Sequence, residues 1–141
     1  MKVFGAITTL LAALALASCA HAPRQVAQCQ GAKCTVTIQV DASCAVTAQP
    51  DPLHVARDSK NGVIRWEIAT PGYSLDATRG VYIKQDVDKQ VAELHPVGKD
   101  WQAVNHNNKA GGSRFSYGIV VVDGNGKACP ALDPVVINDD Y

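Results

Sequence analysis

Hydrophobic and polar residues alternate with a period of two along most of the chain. Residues 35–40 alternate threonine or glutamine with β-branched apolar residues, and residues 63–68 place two isoleucines and Trp66 on one face. Successive side chains of a strand point to opposite faces, so this pattern predicts half-buried strands. Trp66 is predicted to lie at the centre of the core, where its indole N–H needs a buried acceptor.

The most apolar segment is residues 115–122, which carry apolar side chains on both faces of a predicted strand. A strand covered on both faces is expected at the centre of a sheet. Asn61-Gly62 separates the apolar run 53–56 from residues 63–68, and this dipeptide predicts a tight hairpin. Pro50 and Pro52 precede the run 53–56, so they indicate an edge strand or a strand start.

Helical spacing of apolar residues occurs only in residues 87–94, where it predicts at most one short helix that ends before Pro96. A strand over residues 90–94 is the alternative. Further strands are predicted at residues 81–83, 101–104 and 135–137. About seven to eight short strands with turn signals between them predict an all-β fold, a Greek-key β-sandwich formed by residues 34–141 as one domain.

The N-terminus has the features of an export signal. Lys2 precedes an apolar stretch at residues 3–17, which is too short to span a bilayer and whose last two residues begin the tetrapeptide Leu16-Ala17-Ser18-Cys19. This tetrapeptide resembles the lipobox of bacterial lipoproteins. The resemblance implies cleavage after residue 18, lipidation of Cys19 and a lipidated tether over residues 19–33. An ordinary signal peptide that leaves Cys19 as a free thiol is the alternative.

Localisation follows from the same resemblance. The residue after Cys19 is Ala20 rather than aspartate, and in enteric bacterial lipoproteins this implies sorting to the outer membrane. The expected location is therefore the bacterial cell envelope, with the domain attached to the outer membrane through its lipid and facing the periplasm. Stable attachment requires more than one acyl chain, which lipoprotein modification supplies.

Four further cysteines are expected to form two disulfides in an exported chain. Cys29 and Cys34 enclose a short loop, so the favoured second bond joins Cys44 to Cys129. Neither spacing is that of a redox Cys-x-x-Cys motif, and a zinc site of the usual form needs a second close cysteine pair, which the sequence lacks. Structural disulfides are therefore favoured over a metal or redox role.

The 141-residue chain carries 13 basic and 13 acidic residues, and 6% of its residues are aromatic. Nucleic-acid binding depends on a basic surplus that this chain lacks, so no nucleic-acid partner is expected. The serines lie outside any Gly-x-Ser-x-Gly elbow. The protein is therefore predicted not to be an enzyme, and no cofactor is expected.

Trp66-Glu67-Ile68, the run from Tyr117 to Val120 and the run from Leu132 to Asn138 are similar to segments of small exported bacterial proteins with immunoglobulin-like or cupredoxin-like domains. This resemblance implies the sandwich architecture and no particular activity. A blue-copper site would need a histidine, and usually a methionine, close to Cys129 near the last strand. Residues 130–141 contain neither.

Two surface features are candidates for function. The polar loop between residues 105 and 114 predicts a partner-binding surface, because adaptable polar loops on a rigid scaffold are common recognition sites. Its candidate residues are Asn105, His106, Asn107, Asn108, Lys109 and Arg114.

The leading hypothesis is a lipid-anchored binding or accessory module with a protein or envelope partner. The alternative is a periplasmic copper- or zinc-binding module that uses His54, His95 and His106.

Overall fold

The computed structural model describes residues 28–29 and 31–140, and all regular structure among them is β. The lipobox-like segment and Cys19 lie outside the described residues. The strands are β1 Lys33–Val40, β2 Val46–Gln49, β3 Leu53–Val55, β4 Gly62–Ile68, β5 Tyr73–Leu75, β6 Val81–Gln85, β7 Val91–Val97, β8 Asp100–Asn105, β9 Ser113–Ile119, β10 Val121–Asp123 and β11 Val135–Asn138. The predicted all-β class is confirmed, and the arrangement is consistent with a β-sandwich.

The strands form a five-stranded sheet in the order β2-β1-β4-β8-β7, a four-stranded sheet in the order β3-β11-β9-β6, and a ribbon of β5 and β10. Two pairs are parallel, β1 with β4 and β3 with β11, and the other pairs are antiparallel. Each large sheet therefore has two edge strands, which are β2 and β7 in one sheet and β3 and β6 in the other.

The core is built from the inward faces that the alternation predicts. In β1 and β4 every second residue is buried, and Trp66 is completely buried as expected. Its ring lies 5.3 Å from that of Tyr117 on β9, at an interplanar angle of 60°. The tilted contact is a favourable geometry for two aromatic rings. It brings together the two largest fully buried side chains among the described residues, one from each large sheet.

The expected acceptor for the Trp66 indole is not found among the described residues. Both its Nε1 atom and the Tyr117 hydroxyl are buried without a hydrogen bond of normal geometry. The indole of Trp101, by contrast, donates to the carbonyl of Asp76 at 3.0 Å. Burial raises the pKa of the Tyr117 hydroxyl well above its ordinary value. The Trp66 side chain partly offsets this shift, so the two polar groups at the centre of the core interact with each other without forming a hydrogen bond of normal geometry.

The Asn61-Gly62 hairpin is a wrong prediction. Asn61 has the expected positive φ of 53°, but β3 before it pairs with β11 while β4 after it pairs with β1 and β8. The turn therefore carries the chain from one sheet to the other. Positive φ is a local property of the dipeptide, whereas strand pairing is decided by which neighbours cover each strand's apolar face.

Two other segments differ from the simplest interpretation of the sequence. Residues 87–94 form no helix, and β7 begins at Val91, which favours the strand alternative. The strand contains Pro96 and a bulge between Ala92 and His95, and its position at a sheet edge tolerates both.

The long strand predicted at 115–122 is divided into β9 and β10. The first part lies inside its sheet between β11 and β6, as predicted.

Both predicted cysteine pairs lie at disulfide distance. The Cα atoms of Cys29 and Cys34 are 5.4 Å apart, and those of Cys44 and Cys129 are 5.3 Å apart. The second pair links the segment before β2 to the segment after β10, which are 85 residues apart in sequence. It therefore joins the edge of the five-stranded sheet to the chain that leads into β11.

Candidate functional site

An open groove of about 960 Å³ lies along β2, the edge strand of the five-stranded sheet. The segment between Cys129 and β11 contributes Leu132, which is held to β9 by backbone hydrogen bonds with Ile119. The full lining is Gln28, Thr37, Val46, Thr47, Ala48, Gln49, Pro50, Asp51 and Leu132. The groove is thus a mixed surface of amide, hydroxyl and small apolar side chains, and we regard it as the candidate functional site.

The segments that contain β2 and Leu132 are fastened to each other at two points. The Cys44–Cys129 pair joins them ahead of β2. Beyond β2, the backbone N–H of Val135 donates to Oδ1 of Asp51 at 3.2 Å. Groove residues 46–49 lie between these two links. A covalent link and a hydrogen bond therefore fix the groove before any ligand arrives, which lowers the entropy cost of binding.

The backbone of β2 has one side turned away from the protein's own ladder. Asp41 donates through its N–H to the carbonyl of Ala45 at 3.1 Å, and the register pairs Gln39 with Thr47. In an antiparallel ladder, hydrogen-bonded and non-hydrogen-bonded pairs alternate. The N–H and C=O groups of Val46 and Ala48 therefore point away from β1, along an edge of the sheet with which no other described strand pairs.

The surroundings of the groove are acidic. The sequence has no lysine or arginine from Cys34 to Ala56 or from Ala128 to Tyr141. Asp51 is exposed in the groove, and Asp41 lies at the opposite end of β2. Hydrogen bonds from the Ser43 hydroxyl and from the backbone N–H groups of Ala45 and Ser43 hold the pKa of the Asp41 carboxyl below its ordinary value. The carboxylate of Asp41 is therefore kept ionised.

The predicted partner-binding loop is largely built into the fold. Asn105 is buried at the end of β8 and exchanges side-chain hydrogen bonds with Asn138 on β11, at 2.6 and 3.1 Å. Asn107 is also buried, and its amide donates to the carbonyl of Ala56 at 2.7 Å. These two side chains are therefore structural and do not face a partner. Sequence reasoning could not separate them from exposed asparagines, because burial is decided by the opposite sheet.

The remaining loop residues lie nearer the surface. His106 is half-buried, with its Nδ1 2.9 Å from Oδ1 of Asn61, and exposed Asn108 shares hydrogen bonds with Gln90. Lys109 pairs with Asp88. Exposed Arg114 is shared by two small clefts of about 350 and 460 Å³. Of the predicted loop, Asn108, Lys109 and Arg114 remain exposed to a partner.

The three candidate metal ligands are not brought together. His54 on β3 is buried, with Nδ1 3.2 Å from each carboxylate oxygen of Asp139 and with Nε2 buried away from solvent. His95 is exposed on β7, in the other sheet, and His106 follows β8. Among residues 28–29 and 31–140, no group of three or more His, Cys, Asp or Glu side chains is arranged to hold a metal ion.

Sequence reasoning missed β2 and therefore missed the groove. The segment Val46-Thr47-Ala48-Gln49 does alternate apolar and polar residues, but it is only four residues long and lies between Cys44 and the prolines. The usable signal is the expected Cys44–Cys129 bond. A disulfide between distant cysteines brings the residues next to each cysteine close together in space. It therefore indicates that these two segments can line the same surface.

The described part of the chain contains no helix that is both long and apolar enough to cross a membrane. The sequence matches no protein-family model, and no curated protein is significantly similar to it.

Proposed function

We propose that the protein is a non-catalytic binding module of the bacterial cell envelope, attached to the outer membrane through a lipid on Cys19 and facing the periplasm. The N-terminal features that resemble a lipoprotein signal support the anchor. The observation that carries the binding role is the groove along β2, whose outward backbone groups are presented on a surface fixed by Cys44–Cys129 and by Asp51.

The chemistry of the groove favours recognition of a polypeptide over turnover of a substrate. Its lining combines uncharged hydroxyl and amide groups with a single carboxylate, that of Asp51. Groups of this type make hydrogen bonds that position a ligand. Backbone N–H and C=O groups at a sheet edge recognise another backbone in the same way. The protein would thus act as an accessory subunit that holds a partner near the membrane.

The anchor is tested in a bacterial host that processes lipoproteins. Cells that express the full chain are labelled with a palmitate analogue, and Cys19→Ser is the matched control. The wild-type chain is expected to carry label and to fractionate with the outer membrane, and the variant is expected to lose both properties. An unmodified Cys19 thiol in the exported wild-type protein, shown by mass spectrometry, would contradict the anchor.

The binding role is tested by photocrosslinking in the same cells. A photoreactive residue replaces Gln49 in the groove, and the matched control carries it at Asn125, an exposed turn position outside the groove. A discrete crosslinked partner is expected from position 49 and none from position 125. Absence of any crosslinked partner from position 49, and from a third variant labelled at Lys109, would overturn the binding role.

A further inference from the structure

We infer that the free edge of β2 receives an extended, basic segment of a partner protein, which adds to the five-stranded sheet as an extra strand. This inference rests on the proposed binding role and names the chemistry of the partner. The sheet would grow from five strands to six, with the partner lying beside β2 in the groove. Strand addition of this kind takes its affinity from main-chain hydrogen bonds and its specificity from neighbouring side chains.

The backbone of β2 supplies the required hydrogen-bonding pattern. Val46 and Ala48 present N–H and C=O groups outwards, while the backbone groups of Thr47 and Gln49 are used in the ladder with β1. The side chains of Val46 and Ala48 are buried, so their outward groups are backbone only. A partner strand can therefore pair with β2 without displacing any bond of the protein's own ladder.

The other edges of the two large sheets are protected against such pairing. Edge strands are commonly blunted by bulges, prolines and lysines, or covered by another segment. β7 contains a bulge and Pro96, and β6 contains a bulge and Lys84. β3 is covered by Cys29, which forms a parallel bridge with Val55. β2 has no bulge and no lysine, although it is short and is followed by Pro50.

The charge around β2 determines which kind of partner segment can bind beside it. Carboxylates lie at both ends of β2, at Asp41 and Asp51, and no lysine or arginine is present from Cys34 to Ala56. Asp133, near Leu132 in sequence, is already paired with Lys84 at 2.8 Å. Lysine or arginine near the ends of a short partner strand would complement Asp41 and Asp51. An acidic segment would be repelled, so the partner is a basic extended polypeptide.

The test uses the full chain, exported with its disulfides formed and purified in mild detergent. The probe is an acetylated peptide of alternating threonine and valine with lysine at both ends. Hydrogen exchange followed by NMR should show that the amides of Val46 and Ala48 gain about fivefold to tenfold protection when the probe binds. The amide of Thr47 already lies in the ladder with β1, so its exchange should change little.

Two protein variants separate backbone pairing from charge. Ala48→Pro removes an outward N–H that β1 does not use, and it should weaken binding of the probe about tenfold. Asn125→Ala, at an exposed turn position outside the groove, should leave binding unchanged. Asp51→Asn keeps the acceptor for Val135 and removes the charge. It should weaken binding and reduce its salt dependence, and Asp58→Asn is the control for a similar charge change outside the groove.

Several outcomes would overturn strand addition. One is equal binding of a probe that is N-methylated on alternate residues, and another is equal binding of a probe with glutamate at both ends. Full protection of Val46 and Ala48 before the probe is added would show that another part of this chain or a second copy already occupies the edge. A partner that crosslinks from Lys109 but not from Gln49 would also overturn it while leaving the binding role intact.

Discussion

Asn105 and Asn138 exchange hydrogen bonds through their side-chain amides across the interface between the two sheets. Each amide donates to the oxygen of the other, at 2.6 and 3.1 Å, and Asn138 also donates to the hydroxyl of Ser113 at 2.9 Å. Both residues are 1% exposed. A reciprocal pair of this kind is directional, so it fixes how β8 and β11 are aligned as well as holding them together.

Replacing Asn105 with alanine should therefore destabilise the protein. The change leaves the Asn138 oxygen buried without its donor, and an orphaned buried polar group costs about 1–3 kcal/mol. We expect a loss of that size in the free energy of unfolding, measured by urea denaturation with the disulfides intact. The double variant Asn105→Ala, Asn138→Ala should lose less than the sum of the single losses.

Asn125→Ala is the control for the asparagine pair, because Asn125 is exposed in a turn. Its free energy of unfolding should change by less than about 0.5 kcal/mol. Strictly additive losses for Asn105 and Asn138 would show that the two amides do not act as a pair.

Replacing Tyr117 with phenylalanine should change the free energy of unfolding by less than about 1 kcal/mol, because the buried hydroxyl interacts with the Trp66 side chain without a hydrogen bond of normal geometry. The ring contacts with Trp66 and Phe115 are retained. The measurement is again the free energy of unfolding. A loss greater than about 1.5 kcal/mol would indicate that the hydroxyl has a partner in solution.

Because the same hydroxyl can ionise, the free energy of unfolding should depend on pH in the alkaline range. Burial raises the pKa of folded Tyr117, whereas the unfolded chain ionises near pH 10. The unfolded state therefore releases a proton that the folded state retains, and stability should fall as the pH rises above about 10. Tyr117→Phe should flatten this part of the stability profile.

Phenolate absorbance provides an independent measurement. The chain has four tyrosines, and in the folded protein the Tyr117 hydroxyl should resist ionisation until the protein unfolds. The wild-type and Tyr117→Phe proteins should therefore give the same absorbance change before unfolding. A change that is smaller in the variant by the contribution of one exposed tyrosine would show that the assignment is wrong.

The two disulfides should differ in their contribution to stability. In the chain-entropy model, a bond between residues 85 apart contributes about 4.5 kcal/mol and one between residues five apart contributes about 2 kcal/mol. Cys44→Ala with Cys129→Ala should therefore lower the free energy of unfolding more than Cys29→Ala with Cys34→Ala. Equal losses would show that loop length does not decide their effect.

The link at Cys44 also has a functional consequence. Without it, the segment containing Leu132 is held beside β2 by weaker contacts. The groove should then be less preorganised, and its affinity for a basic peptide should fall. The Cys29–Cys34 variant is the matched control, since these cysteines do not line the groove. Its affinity for the peptide should be unchanged.

The sequence predicts the strands whose alternation extends over several residues. β1 and β4 were predicted from such runs, with Trp66 at the centre of the core, and both cysteine pairs followed from spacing. The pairing of strands was not predictable in the same way. Asn61 adopts its expected φ, yet the chain crosses to the other sheet there, because the partner of β3 lies more than 70 residues away in β11.

The candidate site was less predictable than the fold. The groove depends on β2, a segment too short for its alternation to stand out, and on Leu132, which reaches it only through the tertiary structure. The polar loop was chosen for its composition, and composition does not reveal burial. Asn105 and Asn107 therefore looked like surface groups although the opposite sheet and the carbonyl of Ala56 enclose them.

The position of β1 has a mechanical consequence for the proposed attachment through Cys19. Tension that arrives at Gln28 along the axis of β1 meets the Cys29–Cys34 crosslink first, and that covalent loop cannot extend. The next element is a strand bonded on both sides, to β2 and to β4. Its ladders would be loaded in shear, so many hydrogen bonds must rupture together instead of unzipping one after another.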